Sequence, residues 1–580
     1  MSRTRTARII VTLLLGCAAV VLLVWAILPQ RALVVSGVAP DPLTVRGSVH
    51  VHTLRSDGTG TVDDVAAAAR RAGLQFVVLT DHGDGTRDPD PPAYRSGVLV
   101  IDAVEISTMG GHYVALGLAR APYRLAGEPR DVVEDVARLG GFGIVAHPDS
   151  PKVDLRWRDW TLPFDGIEWL NADSEWRNEG SLGVARALVT YWWRSPETVT
   201  AGFDRPDTPF AEWDTVSQYR RVIGLAGHDA HARIGPRGNW EPADRDLSVQ
   251  LPGYEVAFRA FAVRVSLEAP LTGDAGRDAA ALLASITAGH VYTAIDALAS
   301  PASFRFRAHS GTRRASAGDD LPVADSAILE ADVARVPGVS LVLRRNGRVV
   351  AASDSGRVRF EHAASRATAV YRVEAKLPGA PGTPPVPWIV GNPIFIGPSL
   401  PRLRPKPRVS PAVDAEVLFE GGDVARWRVE RDAASSGRIA AQEAPWAMGH
   451  GEAVAFEYAL RPGDRAGQYA ALVTPVGQGG LSAWTRLSFK AAADAPMRVS
   501  VQVRNPRSGA RWQRSVVIEP RPQDLLVTFA DMAAVDEAPV PIPLGDIDSV
   551  LFVVDTTNTP TGRRGTLWID DVRLERAAAP

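Results

Sequence analysis

Histidine and carboxylate side chains in the first half of the chain have types and spacing that suit metal binding. His50 and His52 lie two residues apart at the end of a predicted strand, so both imidazoles point to the same side. Glu105 and Asp229 stand at the ends of further predicted strands. Imidazole and carboxylate groups are ligands for Zn, Mn or Fe. Thiolate zinc sites with several cysteines are excluded, because Cys17 is the single cysteine of the 580 residues.

The other candidate ligands share this placement, at strand ends or in the loops that follow them. An α/β core gains nothing from burying so many polar groups unless they are paired or bind a metal. We therefore predict a centre for two or three divalent metal ions (Zn, Mn or Fe). Its predicted ligands are His50, His52, Asp57, His82, Glu105, His112, His147, Asp229 and His231.

Neighbouring polar residues are candidates for catalysis and substrate binding. Asp81 is predicted to orient a ligand histidine, with turn capping as the alternative. His228 is a candidate to face the substrate, with core packing as the alternative. An arginine can clamp a phosphate group through its planar fork of donors. The candidate residues lining the substrate are Glu168, Asn171, Arg177 and Arg233.

The elements that must position these groups alternate between short buried strands and helices over residues 47–300. Such alternation indicates a parallel sheet or an α/β barrel. Residues 301–398 alternate apolar and polar side chains and are predicted to form a small β-sandwich. A proline-rich linker over 399–414 then precedes a predicted jelly-roll β-sandwich over 415–577. Residues 29–46 are predicted to be a spacer.

The order of the motifs resembles that of the PHP (polymerase and histidinol phosphatase) family. The resemblance covers roughly residues 47–295 and rests on His50-Val-His52-Thr, Ser56-Asp57-Gly58, Thr80-Asp81-His82, Glu105-Ile-Ser, His112, His147-Pro148 and Asp229-Ala-His231. It implies an α/β fold, a distorted (β/α)7 TIM-like barrel, that hydrolyses phosphate esters by a metal-activated water. The two β-sandwich domains would follow this barrel.

The resemblance also implies how the ligands are shared among three ions. Some family members carry histidine at the position of Asp57, which leaves the third ion open. The implied sets are His50, His52, Glu105 and Asp229 for one ion, Glu105, His112 and His147 for a second, and Asp57, His82 and His231 for a third.

The N-terminal segment contains an uncharged and mostly apolar run from Ile9 to Leu28. As a helix this run is about 30 Å long, enough to cross a bilayer. Arginines precede it, so the positive-inside rule puts residues 1–8 in the cytoplasm. We predict a transmembrane helix over 9–28 in a bacterial cytoplasmic membrane, with the catalytic domain on the extracytoplasmic side. Cleavage near Ala26 and lipidation at Cys17 are alternatives.

The leading functional interpretation is a metal-dependent phosphoric ester hydrolase acting on mono- or diesters. Nucleotides, oligonucleotides and phosphorylated sugars or envelope polymers all remain open as substrates. The net charge of −2 gives no basic field that would indicate a specific nucleic-acid partner. One alternative is metal-dependent hydrolysis of an amide-type bond. The other is a glycan-binding surface protein with an inactive barrel. Glycan contact by the jelly roll would use Trp446, Trp484 or Trp512, for which core packing is the alternative.

Overall fold

A computed structural model of the chain divides into two compact units. The first comprises Met1–Gly83, Asp88–Ala119 and Val133–Pro405, and the second Asp84–Arg87, Arg120–Val132 and Lys406–Pro580. The structure describes residues 3–39, 41–232, 251–401, 410–421, 424–443, 452–463, 467–535 and 541–578.

The helices lie mainly in the first unit. α2 begins with a capping box, in which Thr61 Oγ1 accepts from the Asp64 N–H and the Asp64 carboxylate accepts from the Thr61 N–H. The helices are α1 (Arg3–Ile27), α2 (Val62–Arg71), α3 (Pro129–Arg138), α4 (Ala172–Asn178), α5 (Ser181–Thr190), α6 (Ser195–Thr200), α7 (Asp207–Val216), α8 (Tyr254–Ala260) and α9 (Ala275–Ala288).

The strands of the first unit form two large sheets and two smaller ones. They are β1 (Leu33–Val34), β2 (Thr44–Ser48), β3 (Phe76–Leu79), β4 (Ala93–Arg95), β5 (Val98–Asp102), β6 (Val104–Thr108), β7 (Gly111–Leu116), β8 (Phe142–Ala146), β9 (Gly166–Asn171), β10 (Ile223–Gly227), β11 (Ala262–Ser266), β12 (Val291–Ala294), β13 (Ala299–Ser300), β14 (Phe304–Ser310), β15 (Arg313–Ser316), β16 (Asp320–Leu321), β17 (Ala327–Val333), β18 (Ser340–Arg345), β19 (Arg348–Ser353), β20 (Arg357–His362), β21 (Ala369–Lys376), β22 (Ile389–Gly391) and β23 (Ile394–Ile396).

The pairing of these strands sets the frame of the first unit. A five-stranded sheet has the order β10-β9-β8-β7-β6. A twelve-stranded sheet runs β16-β23-β21-β22-β12-β11-β2-β3-β5-β4, with β18 and β19 attached at β21. A four-stranded sheet has the order β15-β14-β17-β20, and β1 pairs with β13. The sheet that holds β2 and β3 therefore also holds strands from beyond residue 300.

The predicted α/β fold with a TIM-like barrel is wrong, since the described chain is built mostly of β-strands in open sheets. A (β/α)7 barrel needs parallel strands in one closed sheet. Here β6, β7 and β8 pair antiparallel, and β11 pairs antiparallel with both β2 and β12. Only two residues, Met109 and Gly110, separate β6 from β7, and so short a link permits a hairpin but no helical crossover.

The predicted membrane anchor is also wrong. Arg3–Ile27 form α1, but no helix among the described residues combines the length and the apolar character that a membrane crossing requires. The transmembrane helix over 9–28 is not found. Two further predictions depended on this helix and are therefore also wrong: the single-pass location in a bacterial cytoplasmic membrane and the contact with the membrane.

The second unit contains two six-stranded sheets that share one apolar core, to which Phe456, Leu472, Phe489, Val501 and Phe552 contribute. One sheet has the order β26-β27-β35-β29-β32 with β24 beside β35, and the other has the order β25-β28-β34-β30-β31-β33. The strands are β24 (Ala412–Phe419), β25 (Arg428–Arg431), β26 (Ser436–Glu443), β27 (Glu452–Ala459), β28 (Tyr469–Pro475), β29 (Arg486–Ala493), β30 (Met497–Arg504), β31 (Arg511–Ile518), β32 (Gln523–Thr528), β33 (Ala533–Ala534), β34 (Ser549–Asp555) and β35 (Arg564–Ala577).

A buried ion cluster joins β21 of the first unit to the segment before α7. The Glu374 carboxylate accepts hydrogen bonds from Arg205 at 2.7 and 3.1 Å, from Arg344 at 2.9 Å and from Arg372 at 2.8 Å. Arg372 also donates to Asp214 on α7 at 2.8 Å. Burial alone would raise the pKa of Glu374, but Arg372 and Arg205 lower it from 4.5 to about 2. Glu374 is therefore a fully charged carboxylate at the centre of the cluster.

Replacement of this carboxylate should destabilise the first unit. Glu374→Gln keeps the shape but removes the charge that three guanidinium groups share. Among the described residues, only Arg372 and Arg205 keep another carboxylate, Asp214 and Asp207 respectively. Breaking a buried ion pair costs up to about 3–5 kcal/mol. Urea unfolding followed by circular dichroism measures the change. The matched control is Glu330→Gln, because Glu330 pairs with Arg359 at an exposed position; that change should stay within about 0.5 kcal/mol.

The same measurement as a function of pH tests the charge directly. Because the folded pKa of Glu374 is depressed, its contribution is present above the ordinary value of 4.5 and is lost as the pH falls towards 2. The difference in stability between the parent and Glu374→Gln should therefore shrink over that window. A difference that stays constant down to pH 2 contradicts this account.

Candidate metal centre

The nine predicted ligands lie together in the first unit. They form four overlapping groups, and within each group one ligand atom of every residue lies within 4.8 Å of the others. The groups are His52, Asp57, His82 and His231; His50, His52 and Asp229; His50, Glu105 and His147; and His82, Glu105 and His112.

The ends of several strands bring the ligands to one place. β2 and β3 are parallel neighbours, and their carboxyl ends lead to His50 and His82. β8, β9 and β10 are also parallel, and their ends lead to His147 and Asp229. Bridges from Val51 to Ala230 and from His82 to Glu105 join the two sheets beside the ligands. The ends of strands in two open sheets thus bring these ligands together, which the sequence analysis had expected of strands in a barrel.

Glu105 is the common member at the middle of the cluster. Its Oε2 lies 3.2 Å from His50 Nε2, 3.2 Å from His52 Nε2 and 3.3 Å from His82 Nδ1. Its Oε1 lies 2.9 Å from His112 Nδ1 and 2.8 Å from His147 Nε2. Burial alone would raise the pKa of Glu105, but the neighbouring histidine charges lower it well below its ordinary range. One carboxylate can therefore bridge two cations.

Hydrogen bonds on the outer side fix the orientation of three ligand rings. Asp229 O accepts from His231 Nδ1 at 2.8 Å, and Leu155 O accepts from His147 Nδ1 at 3.1 Å. The Glu168 carboxylate lies 2.6 Å from His50 Nδ1. A carbonyl can only accept, so the proton of the neutral imidazole is on Nδ1. The Nε2 lone pair of each ring then faces a carboxylate oxygen, which is repulsive unless a cation lies between them.

Three buried side-chain atoms at the centre make no hydrogen bond within the described residues, as expected for atoms that bind a metal ion. His50 Nε2, His52 Nε2 and Glu105 Oε2 are buried and have no hydrogen-bond partner within the described residues. Burial alone would lower the pKa of His52, but Asp229 and Glu105 raise it to about 10. The pKa of His50 is raised well above its ordinary value by Glu168 and Asp229, against the effect of burial. Both rings therefore require a positive charge, from protons or from metal ions.

Asp57 lies close to three histidine rings on the more exposed side of the cluster. Its carboxylate lies 3.1 Å from His231 Nε2, 3.4 Å from His52 Nδ1 and 3.7 Å from His82 Nε2. The side chains of Asp57 and His82 are 32% and 33% exposed. Burial is the main cause that lowers the pKa of His82 to about 4. This part of the centre is therefore the one that a substrate can reach.

The backbone adopts left-handed conformations at three ligands. His50, His147 and Asp229 have φ values of 67°, 30° and 48°. Non-glycine residues adopt such conformations at a cost of about 1–3 kcal/mol each, and they cluster at functional sites. The convergence of the rings thus depends on backbone geometry that the local sequence alone disfavours.

Glu168 and Asn171 on β9 support the ligands. Besides His50, the Glu168 carboxylate accepts from the His147 N–H at 2.8 Å and from Asn171 Nδ2 at 2.9 Å. Asn171 Oδ1 in turn caps α4 by accepting from the Ser174 N–H. Both residues were predicted to line the substrate, whereas the structure puts them behind the ligands.

Asp81 holds the loop that carries Asp57. Its carboxylate accepts from the Thr53 N–H, the Thr53 hydroxyl and the Ser56 hydroxyl, each at 2.7 Å. Its hydrogen bonds go to this loop, whereas the prediction had it orient a ligand histidine. Tyr254, which the sequence analysis missed, anchors the same loop: its hydroxyl donates to His52 O at 2.8 Å. A lone tyrosine some 200 residues downstream has no local pattern that could reveal this contact.

His228 packs in the core beside the centre. Its ring stacks on Phe261 at 3.9 Å, Nδ1 lies 2.9 Å from Ser48 Oγ and Nε2 donates to Phe261 O at 3.1 Å. Burial lowers its pKa to about 3, so the ring is neutral. These contacts match the core-packing alternative.

The two candidate arginines differ in what can be said of them. Arg177 on α4 pairs with Asp173, and the charges of Asp229 and Asp57 further raise its pKa against the effect of burial. A guanidinium group thus stands in the field of the ligand cluster. Arg233 lies outside the described residues.

Tryptophans proposed to contact glycans lie mainly against the core of the second unit. Trp512 is buried in that core, and Trp484 is partly buried against it. Trp446 lies outside the described residues.

Comparisons with known proteins add little to this picture. No protein-family model matches the chain, and no curated protein matches it, so the resemblance to the PHP family stays a prediction. Among solved structures, the family 11 carbohydrate-binding module of the cellulase Lic26A-Cel5E of Clostridium thermocellum is 18% identical, with 29% of this chain and 97% of that chain covered and a TM-score of 0.23.

Two further structures show the same weak likeness. A mutant of a family 29 carbohydrate-binding module is 14% identical over 28% of this chain and 92% of its own, with a TM-score of 0.18. An exo-beta-agarase is 14% identical over 28% of this chain and 25% of its own, with a TM-score of 0.21. At TM-scores this low, the likeness carries no argument about the fold or the ligand of this chain.

Gly227 makes the position of Glu168 possible, which gives a test of the centre. A Cβ atom at residue 227 would lie 1.9 Å from Glu168 Oε1. Gly227→Ala should therefore displace the carboxylate that orients His50 and weaken metal affinity roughly 10–100-fold, as loss of such supporting groups does. Calorimetric titration with Zn or Mn measures the affinity.

The matched control for this substitution is Gly180→Ala, where an added Cβ meets nothing within 4 Å. It should bind metal as the parent does. Equal affinities of Gly227→Ala and the parent would mean that Glu168 does not position the centre.

Proposed function

We propose that this chain is a metal-dependent phosphoric ester hydrolase. The observation that carries the proposal is the set of buried atoms without partners, His50 Nε2, His52 Nε2 and Glu105 Oε2, at the point where histidine and carboxylate ligands converge. Mixed nitrogen and oxygen ligands suit Zn, Mn or Fe. Glu105 belongs to two of the overlapping groups, so the ligands would suit two or three ions.

The residues around the centre would divide the work of hydrolysis. When bound, divalent ions would polarise phosphoryl oxygens and make a water nucleophilic near neutral pH. Glu105, Asp229 and the histidines would hold the ions, and Glu168 would keep His50 in the tautomer that binds metal. Asp57 and His82 stand at the reachable side, where the reacting ester would enter.

A nearby guanidinium group favours phosphate over an amide-type substrate. Arg177 lies in the field of Asp229 and Asp57, and its planar fork of donors fits phosphate oxygens. Arg177 already pairs with Asp173, and a phosphate group would offer it a second anionic partner, which a neutral amide group would not. Whether the ester is a mono- or a diester depends on the test below.

Metal content and turnover of the full chain test the proposal. The chain should hold two or three ions and hydrolyse p-nitrophenyl phosphate or bis-(p-nitrophenyl) phosphate with Mn or Zn added. His50→Ala/His52→Ala should lose both metal and activity, because it removes the ligands that no other described residue replaces. Atomic emission and release of p-nitrophenol give the two readouts.

A histidine remote from the centre gives the control for this experiment. His309 on β14 is absent from the four ligand groups, and His309→Ala should keep metal and activity. Bound metal without hydrolysis of either ester would favour the amide-type alternative. A chain that binds no metal overturns the proposal.

A further inference from the structure

A cavity in the first unit opens onto the metal centre. Asp229 and His231 form part of its wall, and from there it extends between α5, α6 and α8. A substrate whose phosphate group lies at the ligands would therefore have room for its remaining part in this cavity. The chemistry of the cavity wall then decides what that part can be.

Apart from Asp173, Glu179 and Arg186, the described side chains that line the wall away from the ligands are mostly apolar. Side chains lining it include Trp176, Ala187, Leu188, Val199, Ala257 and Phe261. Sites that bind sugars or bases instead place several free polar groups where they converge on the ligand. The lining therefore favours an apolar group.

Three charged side chains line the described part of the cavity away from the ligands: Asp173 pairs with Arg177, Arg186 Nε donates to Ile27 O at 2.8 Å, and Glu179 adds a carboxylate to the wall. Several uncharged or neutral polar side chains of the wall are engaged within the protein. Thr190 Oγ1 donates to Arg186 O at 2.9 Å, and Thr198 Oγ1 donates to Thr190 Oγ1 at 3.0 Å. The Tyr191 hydroxyl accepts from the Gly253 N–H at 3.4 Å. Both ring nitrogens of His228 are used, as described above. The hydroxyl groups of a sugar would compete with these bonds rather than find open partners.

The apolar lining continues outward along α5. Leu188 lines the cavity and is also 52% exposed. Leu182, Trp192 and Trp193, in the same segment, are exposed large apolar side chains. Leu188 thus presents apolar surface both inside the cavity and to solvent. A tail longer than the cavity would still meet apolar surface at its mouth.

We propose that the substrate is an amphiphilic phosphate ester, whose phosphate group binds at the metal centre and whose alkyl or aryl tail fills this cavity. The inference rests on the proposed function and gives it a substrate class.

Binding of alkylphosphonates, which lack a hydrolysable ester, tests the tail site without turnover. The probes are methyl-, butyl- and octylphosphonate, titrated by calorimetry into the full chain with Mn or Zn added. Each buried methylene should strengthen binding roughly three- to four-fold. A hexose 6-phosphate should bind no better than methylphosphonate. Affinity that does not rise with chain length overturns the inference.

Two substitutions on one helix locate the tail. Ala187→Trp fills the cavity, so it should abolish the gain from methyl- to octylphosphonate and leave methylphosphonate binding unchanged. Ala185 is an exposed alanine of α5 outside the lining, and Ala185→Trp should keep the full gain. If both variants keep it, the tail does not lie in this cavity and the inference fails. Thermal unfolding verifies that each variant is folded.

The outcomes separate the inference from the function on which it rests. Hydrolysis of the p-nitrophenyl esters together with a flat alkylphosphonate series would keep the proposed function and overturn the amphiphilic substrate. A steep series that Ala187→Trp flattens, in a chain that hydrolyses neither ester, would support the tail site and overturn the proposed hydrolysis.

Discussion

The contact of one carboxylate with five imidazoles is the interaction around which the first unit is arranged. Glu105 presents one oxygen to His50, His52 and His82 and the other to His112 and His147. So many lone pairs and protons can share a buried space only with compensating positive charge, because a low-dielectric interior amplifies both repulsion and attraction. The centre is thus an electrostatic constraint that the surrounding strands must satisfy.

The sheets bring the ligand residues to one place, and individual residues outside the ligand set then hold the ligands in position. Parallel strand ends deliver His50 and Asp229 to the same place from two different sheets. Glu168 then reaches His50 only because Gly227 has no side chain in its path. Tyr254 holds both ends of the loop between His52 and Gly60, and Asp81 holds its first part through Thr53 and Ser56. Most of these supports are hydrogen bonds between residues far apart in the chain.

Much of the site could be predicted from the sequence, whereas the sheet topology could not. His50 and His52 follow the end of β2, and the pattern alone indicated that they converge with Glu105, although Glu105 lies within β6 and does not end a strand. The strands Val104–Thr108 and Gly111–Leu116 are short and mostly buried, and buried runs look alike whether their neighbours are parallel or antiparallel. The barrel was inferred from alternation that open mixed sheets also produce. The role of Glu168 was missed because it depends on a distance across the fold.

The left-handed backbone at His50, His147 and Asp229 sets stability against activity. Glycine at any of these positions would remove the unfavourable conformation, and it would also remove a ligand. Selection for robustness alone would therefore tend to erase the site, while selection for catalysis maintains residues that make the folded state less stable. A laboratory search for more heat-resistant variants that ignored activity would be expected to find such glycines, and the proteins it returned would be sturdier and inert.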